Sequence, residues 1–282
     1  MNELPGSLPS VIVPVYNAAD ELQACLASLA ATVQEGSEVV IIDDASPASD
    51  VRAVLQSWNE RRIRGWRFYR NESNLGFVGT ANRGMELCRE DVVLLNSDTV
   101  VTPGWLEGLG RCLASDPSIA TATPWTNNGE IASLPAFCQA NPLPPDLNAV
   151  AEIIGSTGRA VYPDLPTAVG FCMAITRAAI DLAGLFDLEL FGKGYGEEND
   201  FSMRVAGLGM RNVLCDDVYV AHVGGSSFGP TGLKPDEESM RRLLSRHPGY
   251  LELVQEFIAG DPLAERRDAL VQALHRAGVR LG

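Results

Sequence analysis

Polar side chains that could bind a ligand follow two apolar runs in the first hundred residues. Asn96-Ser97-Asp98 comes directly after the apolar stretch 92–95, and Asp43-Asp44 comes after 38–42. Carboxylate oxygens suit hard cations such as Mg²⁺ and Mn²⁺, and such a cation can hold a diphosphate. Ligands of open α/β sheets bind at the C-terminal ends of the strands. Asp98 is therefore predicted to bind a divalent cation, provided that these runs are buried strands of one sheet.

A nucleotide pocket is predicted at the same edge. Pro14-Val15-Tyr16-Asn17 follows an earlier apolar run. A ring such as that of Tyr16 can stack on a base, and Asp44 can accept a hydrogen bond from a base N–H or a ribose hydroxyl. Each feature alone is also explained as a turn, because Tyr, Asn and Asp are common there. Their convergence on one edge is what favours a nucleotide site.

A second acidic cluster, Gly196-Glu197-Glu198-Asn199-Asp200-Phe201, opens a predicted helix. Acidic residues stabilise the first turn of any helix, and we assign Asp200 to that role because Arg204, four residues on, can pair with it. Glu197 and Glu198 have no such partner. Crowding of like charges raises a carboxyl pKa, which suits a general base that works near neutral pH. The glycines at 192, 194 and 196 predict a mobile loop before this helix.

Two basic side chains could complete the site. His222 follows the apolar Tyr219-Val220-Ala221, and its position alone leaves open a metal ligand or a hydrogen-bonded core histidine. Asn74-Leu75-Gly76 precedes a predicted helix, whose free N–H groups favour an anion. Arg83 lies inside that helix, where it could meet a phosphate. The glycine also fits an ordinary loop with a positive φ.

The elements that must position these residues alternate between strand and helix. Strands are predicted at 10–15, 38–42, 66–69, 92–95, 169–175, 212–214 and 218–221. Helices are predicted at about 22–33, 51–58, 78–88, 103–113, 148–155, 177–183 and 197–208, and from 236 onward with a break near Pro262. Asn17 is expected to begin the first helix, and 124–166 to be a long irregular region around its one helix. This alternation predicts an α/β fold with a mostly parallel sheet and helices on both faces.

Composition excludes several classes of partner. The chain has 282 residues, is 46% hydrophobic and carries a net charge of −14. An acidic protein is a poor partner for nucleic acid, because phosphate neutralisation needs a basic face. No stretch reaches the roughly 18 apolar residues of a membrane span, and residues 1–9 do not resemble a signal peptide. Six isolated cysteines are expected to be buried and reduced. We expect a cytoplasmic protein and leave open peripheral association with the inner face of the cytoplasmic membrane.

The order of the motifs resembles the family 2 glycosyltransferases of the GT-A fold. The resemblance rests on 11–17, 41–46, 71–77, 95–98, 196–201 and 222–227. It runs from about Ser10 to Phe228 and leaves the C-terminal helices uncovered. The expected organisation is an extension at 1–9, a GT-A domain at 10–230 with a nucleotide-binding half (10–123) and an acceptor and catalytic half (124–230), and a helical appendage at 231–282.

The resemblance implies inverting, metal-dependent transfer from a UDP- or dTDP-sugar to a saccharide or lipid-linked saccharide. It places Pro14, Tyr16 and Asn17 in the base pocket, Asp44 on base and ribose, and Asn74, Gly76, Arg83, Asn96 and Ser97 around the rest of the nucleotide. It places Mn²⁺ or Mg²⁺ on Asp98 and His222 and makes Glu198 the base. Trp125, Asn127, Phe171 and Glu197 are further candidates for contacts with the donor sugar or acceptor. For Phe171 a core strand, and for Trp125 and Asn127 a surface loop, explain the sequence equally well. The looser resemblance to rhamnosyltransferases implies bacterial surface polysaccharide synthesis, with fusion to or complex formation with other glycan-assembly domains.

One departure from the family pattern keeps an alternative open. The family's metal motif has an acid where this chain has Asn96, so Asp98 depends on His222 as the second protein ligand. The same departure is compatible with a non-catalytic domain that binds a nucleotide sugar or a glycan. A sugar-nucleotide pyrophosphorylase would carry a glycine-rich, basic loop after the first strand, where this chain has Pro14-Val15-Tyr16-Asn17.

Overall fold

The structure is a computed structural model that describes residues 8–224 and 237–281. The strands are β1 (Ser10–Val15), β2 (Val39–Asp43), β3 (Trp66–Arg70), β4 (Val92–Leu95), β5 (Thr99–Val100), β6 (Ile119–Trp125), β7 (Cys172–Ile175), β8 (Arg211–Tyr219) and β9 (Ala221–His222). The helices are α1 (Ala19–Thr32), α2 (Ser49–Glu60), α3 (Gly76–Leu87), α4 (Trp105–Ala114), α5 (Leu147–Ser156), α6 (Arg177–Ala183), α7 (Leu188–Phe191), α8 (Glu197–Gly207), α9 (Glu237–Arg246), α10 (Tyr250–Gly260) and α11 (Ala264–Arg276).

Seven strands form one sheet in the order β3-β2-β1-β4-β7-β6-β8. Strands β3, β2, β1 and β4 are parallel, β7 runs antiparallel to both of its neighbours, and β6 pairs with β8 in parallel. The short strands β5 and β9 form a separate antiparallel pair. The predicted fold class, α/β with a mostly parallel sheet, helices on both faces and C-terminal helices, is confirmed.

Alternate side chains of each central strand enter different cores. Val11 and Val13 of β1 pack on one face of the sheet, with helices α1, α2 and α4, while Ile12 packs on the other face, with α3, α6 and α8. Every residue of β2 and of β4 is buried. Strands covered on both faces need continuous apolar sequence. Full burial of one such side chain contributes about 1.5–3 kcal/mol to the stability of the fold. Apolar runs such as 39–42 and 92–95 therefore indicate buried strands.

The C-terminal helices complete these cores. Leu243 and Tyr250 pack beside Phe191 and Phe201 in the cluster on the α3 face. Helix α11 packs on α5 and β8 in a third cluster through Leu263, Leu270 and Leu274. The predicted domain boundary at 230/231 and the motif residues 225–228 lie outside the described residues. No helix within 8–224 and 237–281 is long and apolar enough to cross a membrane.

The structure differs from the sequence predictions at several single elements. Asn17 does not cap α1: the cap position is Ala18 in the left-handed region, without a side-chain hydrogen bond. Strand β6 is buried throughout but was not predicted. Pro124 and the polar residues after it are typical of an irregular region. The strands predicted at 212–214 and 218–221 are largely one, β8, and the C-terminal region breaks between α9 and α10 as well as near Pro262.

The buried residue Asp216 explains the error in β8. The sequence Cys215-Asp216-Asp217 is typical of a turn, yet Asp216 is fully buried. It accepts hydrogen bonds from the backbone N–H groups of Val161 and Tyr162 and pairs with Arg266 at 2.8 Å. A buried carboxylate is stable only when such partners compensate its lost hydration, and these come from segments remote in sequence.

The exposed Cys138 departs from the expectation that every cysteine is buried.

Candidate active site

A cavity of about 590 Å³ lies where β1, β2 and β4 end. Its walls include most of the predicted site residues: Pro14, Tyr16, Asp44, Asn74, Gly76, Asn96, Ser97, Asp98, Phe171, Glu197, Glu198 and His222. Parallel pairing of these strands brings their ends to one edge, as the sequence predicted. The antiparallel strand β7 adds Phe171 beside β4, where the Asn96 N–H donates to the Phe171 carbonyl.

Asp44 is held rigidly at the nucleotide side of the cavity. Its Oδ1 accepts from Asn71 Nδ2 and from the Leu75 N–H, each at 2.7 Å, and its Oδ2 accepts from the Gly76 N–H at 2.8 Å. The carboxylate thus satisfies free N–H groups at the start of α3, which a helix start otherwise leaves without partners. Both the turn and the site interpretations of Asp44 therefore describe the same side chain.

Arg83 does not line the cavity. Its guanidinium donates to Asn71 Oδ1 and to the Arg70 carbonyl, and lies over the Tyr69 ring, 5.6 Å from the centroid. Asn71 in turn holds Asp44. Helix α3 directs the Arg83 side chain toward β3 and away from the cavity. Arg83 therefore stabilises the pocket through Asn71 and is not placed to contact a phosphate there. The prediction of a direct contact with the nucleotide is not supported by this placement.

Asn17 and Trp125 also lie outside the cavity wall. The Asn17 N–H donates to Ser46 Oγ, which ties the β1 turn to the turn after β2. Trp125 is fully buried in the core cluster built by α5, β8 and α11. This packing is incompatible with the predicted contact between Trp125 and a sugar. The burial of Trp125 could not be predicted, because it lies at the end of β6 and that strand was not predicted.

Asp98 and His222 are brought together by the small β5–β9 sheet. Thr99 pairs with His222 across that sheet, and the Val223 N–H donates to the Asp98 carbonyl at 3.0 Å. His222 Nε2 then lies 3.4 Å from Asp98 Oδ1. Asp98 is 4% exposed, and its Oδ1 has no hydrogen-bond partner among the described residues. A buried carboxylate oxygen facing an imidazole nitrogen is a suitable pair of ligands for a divalent cation.

The backbone carbonyl of Asn128 orients the imidazole. His222 Nδ1 lies 2.6 Å from this oxygen, which can only accept, so Nδ1 carries a proton, and in the neutral imidazole the Nε2 lone pair is directed toward Asp98. Metal-bound histidines commonly have their second nitrogen held in this way. The adjacent Asn127 side chain accepts from the His222 N–H at 2.9 Å and donates to the His222 carbonyl at 3.0 Å. Asn127, predicted as a sugar contact, thus fixes the position of His222 and does not line the cavity.

The charge state of His222 is sensitive to its surroundings. Burial lowers the pKa of the imidazole, but hydrogen bonding and charge from Asp98, together with the Asn128 carbonyl, raise it to a net value above 6.5. Only the neutral imidazole can bind a metal, so proton and cation compete for Nε2. Among the described residues, no group of three or more His, Cys, Asp and Glu side chains is placed so that it could hold a metal ion. A cation at Asp98 and His222 would therefore take its remaining ligands from other oxygens, as Mg²⁺ does from phosphates and water.

Glu197 and Glu198 enter the cavity from the first turn of α8. Burial raises the pKa of Glu197 well above 4.5, and the charge of Glu198 adds to the effect. Burial also raises the pKa of Glu198, with a further contribution from the charge of Glu130. The pKa of Glu197 is raised more than that of Glu198, so Glu197 holds a proton more strongly than Glu198 does. Glu198 is then the carboxylate available to accept another proton.

Sequence reasoning missed Lys193, which lines the cavity and is the only Lys or Arg among the lining residues. The sequence analysis assigns the positive charge for a phosphate to Arg83. Gly76 holds the Lys193 segment against α3: its φ is +76°, and a Cβ there would lie 2.5 Å from the Lys193 Cα. The Phe77 N–H donates to the Lys193 carbonyl at 2.9 Å.

The fold and the cavity define an α/β protein of the GT-A type with a polar, acidic site at the strand ends. Two solved structures share the fold: GalNAc-T7 with UDP, GalNAc and Mn²⁺ (TM-score 0.63, 17% identity, 94% of this chain and 55% of that chain), and the mannosyltransferase PcManGT from Pyrobaculum calidifontis with GDP-Man and Mn²⁺ (TM-score 0.57, 15% identity, 98% and 77%). At such low identity, the likeness concerns the fold alone.

Residues 10–181 match the family described as glycosyl transferase family 2, which is more than half of the chain. The chain belongs to this family, and the resemblance inferred from its motifs is confirmed.

Similar proteins include the uncharacterized protein MT1568 of Mycobacterium tuberculosis strain CDC 1551 / Oshkosh (35% identity over 118 residues). The uncharacterized glycosyltransferase YibD of Escherichia coli K12 is 31% identical over 102 residues. The O-antigen biosynthesis protein RfbC of Myxococcus xanthus is 30% identical over 115 residues. The matches cover 41%, 36% and 40% of this chain but only 35%, 28% and 9% of those relatives.

Proposed function

We propose that this chain is an inverting, metal-dependent glycosyltransferase that moves a sugar from a UDP- or dTDP-sugar to a hydroxyl of a saccharide or lipid-linked saccharide. The observation that carries the proposal is the presence in one cavity of an Asp98–His222 pair and a Glu197–Glu198 pair. The first pair suits a cation and the second suits proton transfer. Family membership makes the combination a donor site and a base rather than two unrelated clusters.

The chain's own residues account for donor binding. Pro14, Tyr16 and Asp44 line the part of the cavity that would receive the base and ribose. Asn96 and Ser97 directly precede Asp98 and also line the cavity. We propose that the diphosphate crosses the strand ends beside them. Mn²⁺ or Mg²⁺ held by Asp98 and His222 would neutralise the charge that develops on the leaving diphosphate. Lys193 supplies the positive side chain that Arg83 does not bring to this cavity.

Glu198 is the proposed general base. Its carboxylate accepts the proton of an acceptor hydroxyl while the hydroxyl oxygen forms a bond to the anomeric carbon of the donor. The bond from that carbon to the diphosphate oxygen breaks on the opposite face, so the configuration inverts. The raised pKa of Glu198 brings its basicity closer to the range in which a general base is effective at neutral pH. Glu197, protonated beside it, keeps a second negative charge away from the acceptor.

A role in bacterial surface polysaccharide assembly extends the proposal. It is supported by the similarity to a protein named for O-antigen biosynthesis, of which this chain matches 9%. A longer assembly protein, or a complex with other glycan-assembly domains, would provide the acceptor in that setting, at the inner face of the cytoplasmic membrane. The nucleotide, the sugar and the acceptor are separate parts of the proposal and are tested separately.

The central experiment incubates the protein with UDP-, dTDP- and GDP-sugars, Mn²⁺ or Mg²⁺, and a panel of saccharide acceptors. Release of nucleoside diphosphate that depends on acceptor and cation supports the transferase. The anomeric configuration of the product, read by NMR, tests inversion, and retention would contradict the role of Glu198. Nucleotide-sugar binding without any turnover would favour the non-catalytic domain, which Asn96 in place of an acid supports.

A further inference from the structure

The segment 192–196, which precedes the catalytic helix α8, has an unusual backbone. Gly192, Gly194, Tyr195 and Gly196 all have positive φ, at 57°, 146°, 73° and 100°. A non-glycine residue such as Tyr195 stays in this region only when its surroundings hold it there. The segment carries Lys193 and Tyr195 into the cavity and leads directly into Glu197. Contacts on both sides of it therefore decide where these groups lie.

Helix α9, from the C-terminal region, joins the two flanks of this segment. Arg246 Nη2 lies 2.6 Å from Asp187 Oδ2, and Arg246 Nη1 lies 3.1 Å from Asp200 Oδ1. Asp187 caps α7 before the segment, and Asp200 belongs to the first turn of α8 after it. One guanidinium thus connects both ends, which its planar fork of donors permits. Arg242 adds a hydrogen bond of 2.9 Å to the Leu190 carbonyl.

Asp200 is the fixed end of this connection. It is fully buried, and Arg204 Nε and His247 Nε2 each lie 2.8 Å from its carboxylate. These two partners remain when Arg246 is changed, so the buried carboxylate keeps its compensation. Among the described residues, Asp187 would by contrast retain only its bond to the Leu190 N–H, at 2.9 Å. Loss of Arg246 is therefore expected to release the α7 end without unfolding α8.

We infer that α9 sets the position of the cavity segment 188–199, with Arg246 as a positioning residue for the Glu197–Glu198 pair. The C-terminal helices are then a working part of the site and not an appendage. This inference rests on the proposed function for its catalytic consequence, while its structural consequence is independent of any activity. The family match ends at residue 181, before both α8 and α9, so family membership does not supply this connection.

Amide hydrogen exchange of the full chain tests the structural consequence. In Arg246→Gln, peptides within 188–199 should exchange about tenfold faster than in the wild type, since local opening becomes easier. Arg241→Gln is the matched control: Arg241 is exposed on the same helix and donates to the Glu237 carbonyl of its own turn. Equal exchange of 188–199 in Arg246→Gln and in the wild type would overturn the inference.

A double-mutant cycle tests whether the Arg246–Asp187 pair is responsible. Asp187→Asn keeps an oxygen that can cap the Leu190 N–H but removes the charge that Arg246 meets. It should accelerate exchange of 188–199 in the wild-type background and add little to Arg246→Gln, because residues in contact are not additive. Full additivity of the two changes would show that the pair does not act as a unit.

Kinetics test the catalytic consequence. Arg246→Gln should lower kcat by about tenfold or more, since small displacements of reacting groups are costly, with nucleotide affinity within about twofold of wild type. Arg246→Lys should restore part of the loss, and Arg241→Gln should change neither quantity. Unchanged kcat with faster exchange would overturn the positioning role. If the wild type itself neither binds nor turns over nucleotide sugars, the proposed function fails while the exchange result still stands.

Discussion

Asp44 and the Glu197–Glu198 pair are both carboxyl sites in one cavity, and their surroundings differ. Asp44 accepts hydrogen bonds from the Leu75 and Gly76 N–H groups and from Asn71. Glu197 has an oxygen without a partner among the described residues, and burial raises the pKa of both glutamates. The carboxylate on the nucleotide side has its hydrogen bonds made within the protein. The glutamate pair on the other side of the cavity includes an oxygen whose hydrogen bonds are not made.

This difference separates binding from chemistry. The Asp44 carboxylate is fixed in place by three donors, which suits recognition of a base and ribose. A pair of crowded carboxyl groups keeps a proton to exchange, which suits catalysis. Asp98 also differs from Asp44, because its Oδ1 has no hydrogen-bond partner among the described residues and faces the His222 nitrogen. Substitutions that act on one side only can test this division.

The largest effect is expected for Glu198→Gln. The amide cannot accept a proton, so transfer should fall by about 10²–10⁴-fold, the usual contribution of a general base. Nucleotide affinity, measured by calorimetry, should stay within about twofold, because the nucleotide side is untouched. Glu189→Gln, at an exposed position of α7, is the control. Wild-type turnover in Glu198→Gln would remove this residue from the mechanism.

His222→Ala should act on cation-dependent binding. Loss of the imidazole leaves Asp98 as the only ligand of the pair, and we expect nucleotide affinity in the presence of Mn²⁺ to fall by about 10–100-fold, the range seen even for groups that only support a metal ligand. Affinity in the presence of EDTA should hardly change. His275→Ala, on the exposed face of α11, is the matched control. Equal Mn²⁺ dependence in His222→Ala and wild type would contradict the metal assignment.

Lys193→Gln should produce a smaller loss on the nucleotide side. A hydrogen bond to a charged group contributes about 1.5–3 kcal/mol, so affinity for a nucleoside diphosphate should fall by about tenfold or more. Affinity for the nucleoside should be unchanged, and Lys193→Arg should recover most of the loss. A parallel loss of nucleoside affinity would indicate that the segment has moved instead of losing a phosphate contact.

The smallest effect concerns pH. Glu198 must be ionised to accept a proton, so kcat/KM should rise with pH through its raised pKa. Glu130→Gln removes a nearby negative charge and should move this rise to lower pH, measured as a pH–rate profile with Glu189→Gln as control. A rise that stays in place would show that Glu130 does not influence the base.

Stability should change with pH in the opposite direction. Because the folded state raises the pKa of both Glu197 and Glu198, it holds their protons more tightly than the unfolded chain does. Their stabilising contribution is complete below about pH 4.5 and is lost as pH rises through the raised values. Glu197→Gln should therefore reduce this loss, measured by urea unfolding across that range. An unchanged pH dependence would contradict burial of an ionisable Glu197.

Local pattern was sufficient for the elements and for one ion pair. The apolar spacing of Leu22, Cys25, Leu26 and Leu29 predicted α1, and all four side chains are buried. The assignment of Asp200 to a partner four residues on is confirmed by its contact with Arg204. Such features depend on neighbours within one or two turns, so the sequence contains all the information they need.

The direction of a side chain and the partners of a buried charge were not predictable from the sequence. Arg83 was placed on the right helix, but which neighbour its guanidinium meets depends on β3, and it meets Asn71. Asp216 looked like a turn residue because its partner Arg266 belongs to the distant α11. In both cases the partner belongs to another element of the fold, and the local pattern contains no signal of it.

By itself the sequence determined the alternation of strands and helices in the first half of the chain, the family, and the residue types that could bind a nucleotide, hold a cation and accept a proton. Only the tertiary structure decided that Asn127 and Asn128 hold His222 beside Asp98, that Arg83 does not line the cavity, and that α9 connects the flanks of the catalytic segment. The physical reason is that periodicity and turn chemistry act between near neighbours. Contacts between remote side chains depend on how the helices and strands pack.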